Sequence, residues 1–103
     1  MSKRTVTVTA AEAQSLQDKI RALGPYDHVE VHARRGHLVI EPDPDDPVAR
    51  VTPAGAGCFG LSFRSHTGRW ETMPATGNLE EIATAAVEML GPYLVRMDFS
   101  RRT

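Results

Sequence analysis

The sequence has little that would tie the protein to an oxidising compartment, a membrane or a highly charged partner. Its 103 residues include one cysteine, Cys58, which cannot form a disulfide within the chain, so nothing requires an oxidising compartment. No apolar run is long enough for a signal peptide or a membrane span, so we expect a cytoplasmic protein with no membrane partner. The formal net charge of -1 argues against nucleic-acid binding driven by bulk charge, but a local basic patch stays open.

The length and composition are those of one small globular domain. Hydrophobic residues make up 41% of the chain and charged residues 24%, as in ordinary folded proteins. A chain of 103 residues can bury one core. We therefore predict a single domain over residues 1–103, with a loop rich in Pro, Asp and Gly at 42–57 and a frayed tail at 100–103.

Two segments carry apolar residues at helical spacing behind a capping signal. Thr9 and Glu12 are spaced so that each side chain can bond the other's backbone N–H, and Asn78 and Glu81 repeat this spacing. The apolar stripes that follow predict two helices. Their members are Ala13, Leu16, Ile20 and Leu23 in the first helix, and Leu79, Ile82, Ala86 and Leu90 in the second.

Both predicted helices run into the tetrapeptide Leu-Gly-Pro-Tyr, which occurs at 23–26 and again at 90–93. Glycine can adopt a left-handed cap and proline cannot continue a helix, so we predict that both helices end here, with Leu23 as the last core residue of the first. The starts of the two helices do not align with each other. Shared helix-end chemistry is therefore favoured over a duplicated unit.

Alternating residues predict two β-hairpins. The first joins 28–33 to 37–41 through Arg35 and Gly36, and this turn would place Ala33 opposite Leu38. The second joins 58–64 to 69–73. Shorter strands are predicted at 5–9 and 95–99, with a doubtful edge strand at 48–52.

Two amphipathic helices each need an apolar surface to cover, and a mostly antiparallel sheet provides one. We therefore predict an α+β two-layer sandwich with both helices on one face of the sheet. The preferred topology is ferredoxin-like (split βαβ) with an inserted hairpin. The alternative is a plain antiparallel meander flanked by the two helices.

The turn of the second hairpin concentrates residues suited to binding. Tryptophan and arginine are enriched at interaction hot spots and also suit a phosphate or a stacked base. Alternatively, the only tryptophan belongs to the core and the arginines are simply solvated. The turn does not fix which face of the sheet the tryptophan occupies. The predicted binding residues are Arg64, His66, Arg69 and Trp70.

The first hairpin places histidines and carboxylates on one face, a combination that zinc or iron can use. Side chains two residues apart on a strand are separated by about 7 Å, which is wide for a tetrahedral site. A solvent-facing polar surface is therefore favoured over a metal site, and we predict no cofactor. The residues of the less favoured metal site are His28, His32 and His37.

Other motifs give no catalytic site. Gly55-x-Gly57-x-x-Gly60 has dinucleotide-binding spacing but precedes a strand, so it offers no helix N-terminus to a phosphate. The aspartates at 43, 45 and 46 lack the spacing and the glycine of a calcium loop. Cys58 has no plausible catalytic base. An enzyme is therefore the less favoured interpretation.

Three hypotheses for function remain. The leading one is a non-enzymatic interaction module that binds a protein partner or a second copy of itself (a homodimer) through a sheet edge or the 59–73 hairpin. The second is a nucleic-acid or anionic-ligand binding domain that uses Arg64, His66, Arg69 and Trp70. The third is a metal-dependent enzyme or sensor that uses the face carrying His28, His32 and His37.

Overall fold

A computed structural model describes residues 8–43, 46–55, 57–65 and 67–94. They form helices α1 (Ala10–Arg21) and α2 (Leu79–Leu94) and strands β1 (Glu30–Arg34), β2 (His37–Glu41), β3 (Ala49–Gly55), β4 (Cys58–Arg64) and β5 (Trp70–Gly77). None of the helices in these ranges is long and apolar enough to cross a membrane. The predicted strand at 95–99, the tail at 100–103 and most of the predicted strand at 5–9 lie outside the described residues.

The α+β class is confirmed: the protein has a five-stranded, open antiparallel sheet and two helices. Each described strand pairs with the next one along the chain, in the order β1-β2-β3-β4-β5, because short connections return the chain directly. This is the order of a meander, so the ferredoxin-like topology is not confirmed. Packing of both helices on one face is not confirmed either. Helix α1 lies against β1 and α2 lies against β4 and β5, and the helices contact each other.

Both predicted capping boxes are confirmed. The Thr9 N–H donates to Glu12 Oε1 at 2.9 Å, and the Glu12 N–H donates to Thr9 Oγ1 at 3.1 Å. At α2, the Asn78 N–H donates to Glu81 Oε1 at 2.9 Å and the Glu81 N–H to Asn78 Oδ1 at 2.8 Å. Each helix therefore starts where local chemistry places it, since two N–H groups that lack helical partners are satisfied reciprocally.

The first hairpin has the predicted register, with Val31 opposite Ile40 and Ala33 opposite Leu38. Its two loop residues, Arg35 and Gly36, have φ angles of 51° and 83°. Positive φ at both positions gives the turn whose twist matches that of the flanking strands. The turn therefore fixes which side chains of β1 and β2 share a face.

Strand β3 differs from expectation. We predicted a doubtful edge strand within a loop at 42–57, but β3 pairs with both β2 and β4 and lies at the centre of the sheet. Ala49 and Val51 are fully buried, so this strand contributes directly to the core. The register shifts between Pro53 and Gly55, where the missing proline N–H is accommodated by an irregularity rather than by ending the strand.

Alternation along the strands separates a core side from an outer face. Fully buried residues such as Leu38, Val51 and Leu61 lie on the core side and form one cluster with Leu16 and Ile82 of the helices. The residues between them project to the opposite side. Trp70 is opposite Arg64 in register, next to the core-side pair of Phe63 and Glu71, so Trp70 lies on the outer face. This outer face carries His32, Arg34, His37, Val39, Glu41, Arg50 and Trp70.

The two copies of the repeated tetrapeptide have different structures. Helix α1 ends at Arg21 with Ala22 as its cap, and Leu23 is 45% exposed, so the prediction that Leu23 closes the core is wrong. Helix α2 continues through the second copy to Leu94, so the predicted stop there is wrong as well.

Contacts at the end of α2 explain why it continues. Leu90 and Leu94 are buried, and the His28 Nε2–H donates to the Leu94 carbonyl at 2.6 Å. Pro92 lies in the last turn, where it removes only one helical hydrogen bond. The burial of two leucines outweighs that loss.

Two side chains of α1 hydrogen-bond the backbone along the edge of β1 that does not pair with β2. The Val31 N–H donates to Gln17 Oε1 and Arg21 Nε donates to the Val29 carbonyl, both at 3.0 Å. These bonds use backbone groups that would otherwise be open to another strand. Within the described residues, β5 forms the opposite edge of the sheet.

Candidate binding site on the outer face of the sheet

The structure describes three of the four predicted binding residues. Trp70 is half-buried on the outer face, while Arg64 and Arg69 are exposed, and His66 lies outside the described residues. Arg64 lines a different groove, together with Phe63, Leu90 and Tyr93. Arg64 and Trp70 are therefore opposite each other in register but line different grooves.

Trp70 instead meets Arg50 of the central strand β3. The Arg50 guanidinium carbon lies 4.5 Å from the centre of the indole ring, within the range of a cation–π interaction. Arg50 alternates with the buried Ala49 and Val51, so its side chain must project to the outer face. Strand β4 lies between the strands that carry the two residues, and this contact spans it.

Arg50 is short of polar partners. Its Nε atom is buried, the Nε–H donates to no acceptor among the described residues, and no salt bridge to Arg50 occurs there. An unmet buried donor costs about 1–3 kcal/mol, more on a charged group. A partly exposed cation–π contact returns only about 0.5–1 kcal/mol. Arg50 is therefore a poor choice for stability alone.

A cavity of about 310 Å³ lies beside this contact. Val39, Pro47 and the Trp70 side chain give it apolar walls. Its charged lining consists of three arginines and one glutamate, so the site has a net positive charge. The residues that supply these charges are Arg34, Arg35, Arg50 and Glu41.

Glu41 organises one of those arginines. It is only 5% exposed, and its carboxylate lies 3.7 Å from Arg34 Nη1 and 3.7 Å from His32 Nε2. His32 also lies 3.1 Å from Glu30. Glu41 therefore offsets the charge of Arg34 and leaves Arg35 and Arg50 as the cations without a carboxylate partner among the described residues.

His37 contributes a neutral polar group to the cavity. Its Nδ1 lies 2.8 Å from Thr52 Oγ1. Burial lowers the pKa of His37, and the nearby positive charge of Arg50 lowers it further. Both effects disfavour the imidazolium, so the ring is mainly neutral at neutral pH.

The lowered pKa of His37 predicts a pH-dependent stability. The unfolded chain binds this proton more readily than the folded chain, so the contribution is fully present above about pH 6.5 and is lost as the pH falls through the folded pKa. We expect the free energy of unfolding, measured by urea denaturation between about pH 7.5 and about pH 5, to fall less steeply in His37→Gln than in the parent protein. Parallel curves for the two proteins would contradict the assignment.

The histidines of the predicted metal face do not converge. His28 bonds the end of α2, His32 faces Glu30 and Glu41, and His37 faces Thr52. Over the described ranges, no group of three His, Cys, Asp or Glu side chains is placed to hold a metal ion. Glu30, His32, His37 and Glu41 do share the outer face, as the alternation predicted.

Sequence reasoning missed Arg50. The signal was present, because Arg50 is the polar position within an alternating apolar segment, Val48 to Thr52. The contact between Arg50 and Trp70 could not be predicted from alternation, because it depends on the register across three strands.

The chain matches no protein-family model, no curated protein sequence and no solved structure.

Proposed function

We propose that this chain is a non-enzymatic binding module that holds an anionic group on the outer face of its sheet, between Arg50, Arg35 and Trp70. The observation that carries the proposal is the Arg50 guanidinium, which is partly desolvated, stacked on Trp70 and without a carboxylate partner among the described residues. A planar guanidinium presents a fork of N–H donors that matches a carboxylate or a phosphate.

The charge balance of the cavity supports an anion over a cation. Three arginines against one glutamate leave a positive field, and the glutamate is already close to Arg34. Two opposite charges about 4 Å apart attract by about 4 kcal/mol at the effective dielectric of a protein surface. The apolar walls lower the local dielectric, which strengthens this attraction relative to that at a fully solvated arginine.

The single tryptophan gives a direct test. The indole N–H resonance of Trp70 can be followed by NMR while sodium acetate, sodium phosphate, sodium benzoate or phenyl phosphate replaces sodium chloride at constant ionic strength. We expect a saturable shift with at least one of these anions. Arg50→Gln should weaken that binding by about tenfold or more, because the guanidinium fork is lost.

Arg69→Gln is the matched control, since Arg69 is exposed and does not line the cavity. Its affinity should equal that of the parent protein, and circular dichroism should show that both variants remain folded. The proposal fails if none of the anions gives a saturable shift. It also fails if Arg69→Gln and Arg50→Gln lose affinity equally, because that result would indicate general charge attraction.

Pairing with a second copy through β5 is a second candidate function. The observation in its favour is that α1 already occupies the edge of β1, which leaves β5 as the edge available within the described sheet. Exposed Glu71 and Pro74 on β5 oppose such pairing, as charges and prolines do on protected edges. A monomer mass by light scattering at both low and high salt would exclude it.

A further inference from the structure

We infer that the ligand of this site is a small organic anion that carries an apolar, preferably aromatic, body next to its charged group. This inference rests on the proposed function, because it specifies the ligand of the same cavity. It adds a requirement that the charges alone do not impose: part of the ligand must be apolar.

Apolar walls lie directly beside the charge of Arg50. Val39 is opposite Arg50 in the register of β2 and β3, so both project from neighbouring positions of the outer face. Trp70 lies against the guanidinium of Arg50, and Pro47 lines the same cavity. A ligand held by Arg50 therefore necessarily lies next to Val39 and Trp70.

The size of the cavity also favours a ligand larger than a bare anion. The cavity has a volume of about 310 Å³. A water molecule occupies about 30 Å³ in the liquid, so the cavity has room for roughly ten water-sized groups. A bare carboxylate or phosphate would fill only part of it and would leave the apolar walls in contact with water. The volume is at the lower end of the range for small-molecule sites, which favours a small ligand.

The lining of the cavity mixes apolar and polar groups. Binding pockets for small molecules combine mostly apolar walls with a few polar groups that fix orientation. Arg50 and Arg35 supply the charge contacts here, and the neutral ring of His37 supplies a further polar group. Glu41 disfavours a second negative charge at its end of the cavity, so a ligand with one anionic end and one uncharged end fits best.

The test separates charge from ring. Benzoate and phenyl phosphate carry both, acetate and inorganic phosphate carry charge alone, and benzamide carries the ring without charge. Binding of each compound is followed by the Trp70 indole resonance at constant ionic strength. The two aromatic anions should bind about tenfold tighter, or more, than the two bare anions. Benzamide should bind at least about tenfold more weakly than benzoate, because it lacks the charge that Arg50 recognises.

A second variant addresses the apolar wall. Val39→Thr keeps the branched shape and replaces a methyl group with a hydroxyl. It should weaken benzoate binding several-fold and weaken acetate binding less, because acetate has a smaller apolar part to contact residue 39. Whether benzoate or phenyl phosphate binds more tightly shows whether the site favours a carboxylate or a phosphate ester, and either preference supports the inference.

Two failures are distinguishable. If bare anions bind as tightly as aromatic ones and Arg50→Gln weakens both, the inference is overturned and the proposed function stands. If no anion binds, or if benzamide binds as tightly as benzoate, the proposed function is overturned together with the inference.

Discussion

Leu90→Ala is expected to lower the free energy of unfolding by about 2–5 kcal/mol, while Leu23→Ala, the same change in the same tetrapeptide, is expected to cost less than about 1 kcal/mol. Leu90 is 2% exposed and lies in the core cluster, whereas Leu23 is 45% exposed beyond the end of α1. Removing the first side chain leaves a cavity between α2 and the sheet. Removing the Leu23 side chain changes little, because much of that side chain is already in contact with solvent.

Urea denaturation of both variants measures this difference. A domain of this length is stable by only about 5–15 kcal/mol, so Leu90→Ala should remove a large part of the total. A change in helix propensity cannot explain a loss of stability in Leu90→Ala, because alanine favours helices at least as well as leucine. Equal losses at the two positions would mean that the two tetrapeptides occupy equivalent places in the fold.

The local elements of this fold could be predicted because each depends on a few neighbouring residues. A threonine and a glutamate three residues apart are enough for the capping box at α1. Arg35 and Gly36 both adopt positive φ, and this two-residue turn fixes the register of the first hairpin. In both cases the interaction partners are close in sequence, so the pattern carries nearly all the information.

Elements that depend on tertiary packing could not be predicted in the same way. Gly91 and Pro92 are intrinsic stop signals, but α2 continues because Leu90 and Leu94 are buried and His28 bonds the final carbonyl. Likewise, Pro53 suggested a loop, yet β3 runs past it because Ala49 and Val51 lie in the core. Burial outweighs propensity at both places.

The candidate site could not be predicted from local sequence patterns, because it joins residues of different strands. The sequence indicated Trp70, but its partner Arg50 lies on β3, which we predicted only as a doubtful edge strand. Placing β3 at the centre of the sheet brings the basic residues of β1, β2 and β3 onto the same face as Trp70. A local basic patch on a chain of net charge -1 is thus produced by strand order rather than by composition.

Gly24→Ala and Gly91→Ala are expected to change stability in opposite directions. A Cβ on Gly24 would lie 2.9 Å from Cε2 of the buried Tyr26 ring, closer than real contacts allow, so the ring must shift. We expect a loss of about 1–3 kcal/mol, as for other overpacked sites. A Cβ on Gly91 would lie 3.6 Å from the Tyr26 hydroxyl, an ordinary contact, inside a helix that glycine weakens. There we expect a gain of about 0.5–1 kcal/mol.

Thermal and urea unfolding of the two variants provide the comparison, with the double variant as a further check. Both glycines approach the same tyrosine, Gly24 at its ring and Gly91 at its hydroxyl, so the two effects should not be fully additive. A loss of stability in Gly91→Ala would mean that this glycine is needed as a helix cap, as the sequence first indicated. A gain would support the observed difference between the two copies: the first follows the end of α1, and the second lies within the last turns of α2. The tertiary environment of each copy, rather than its sequence, then decides its conformation.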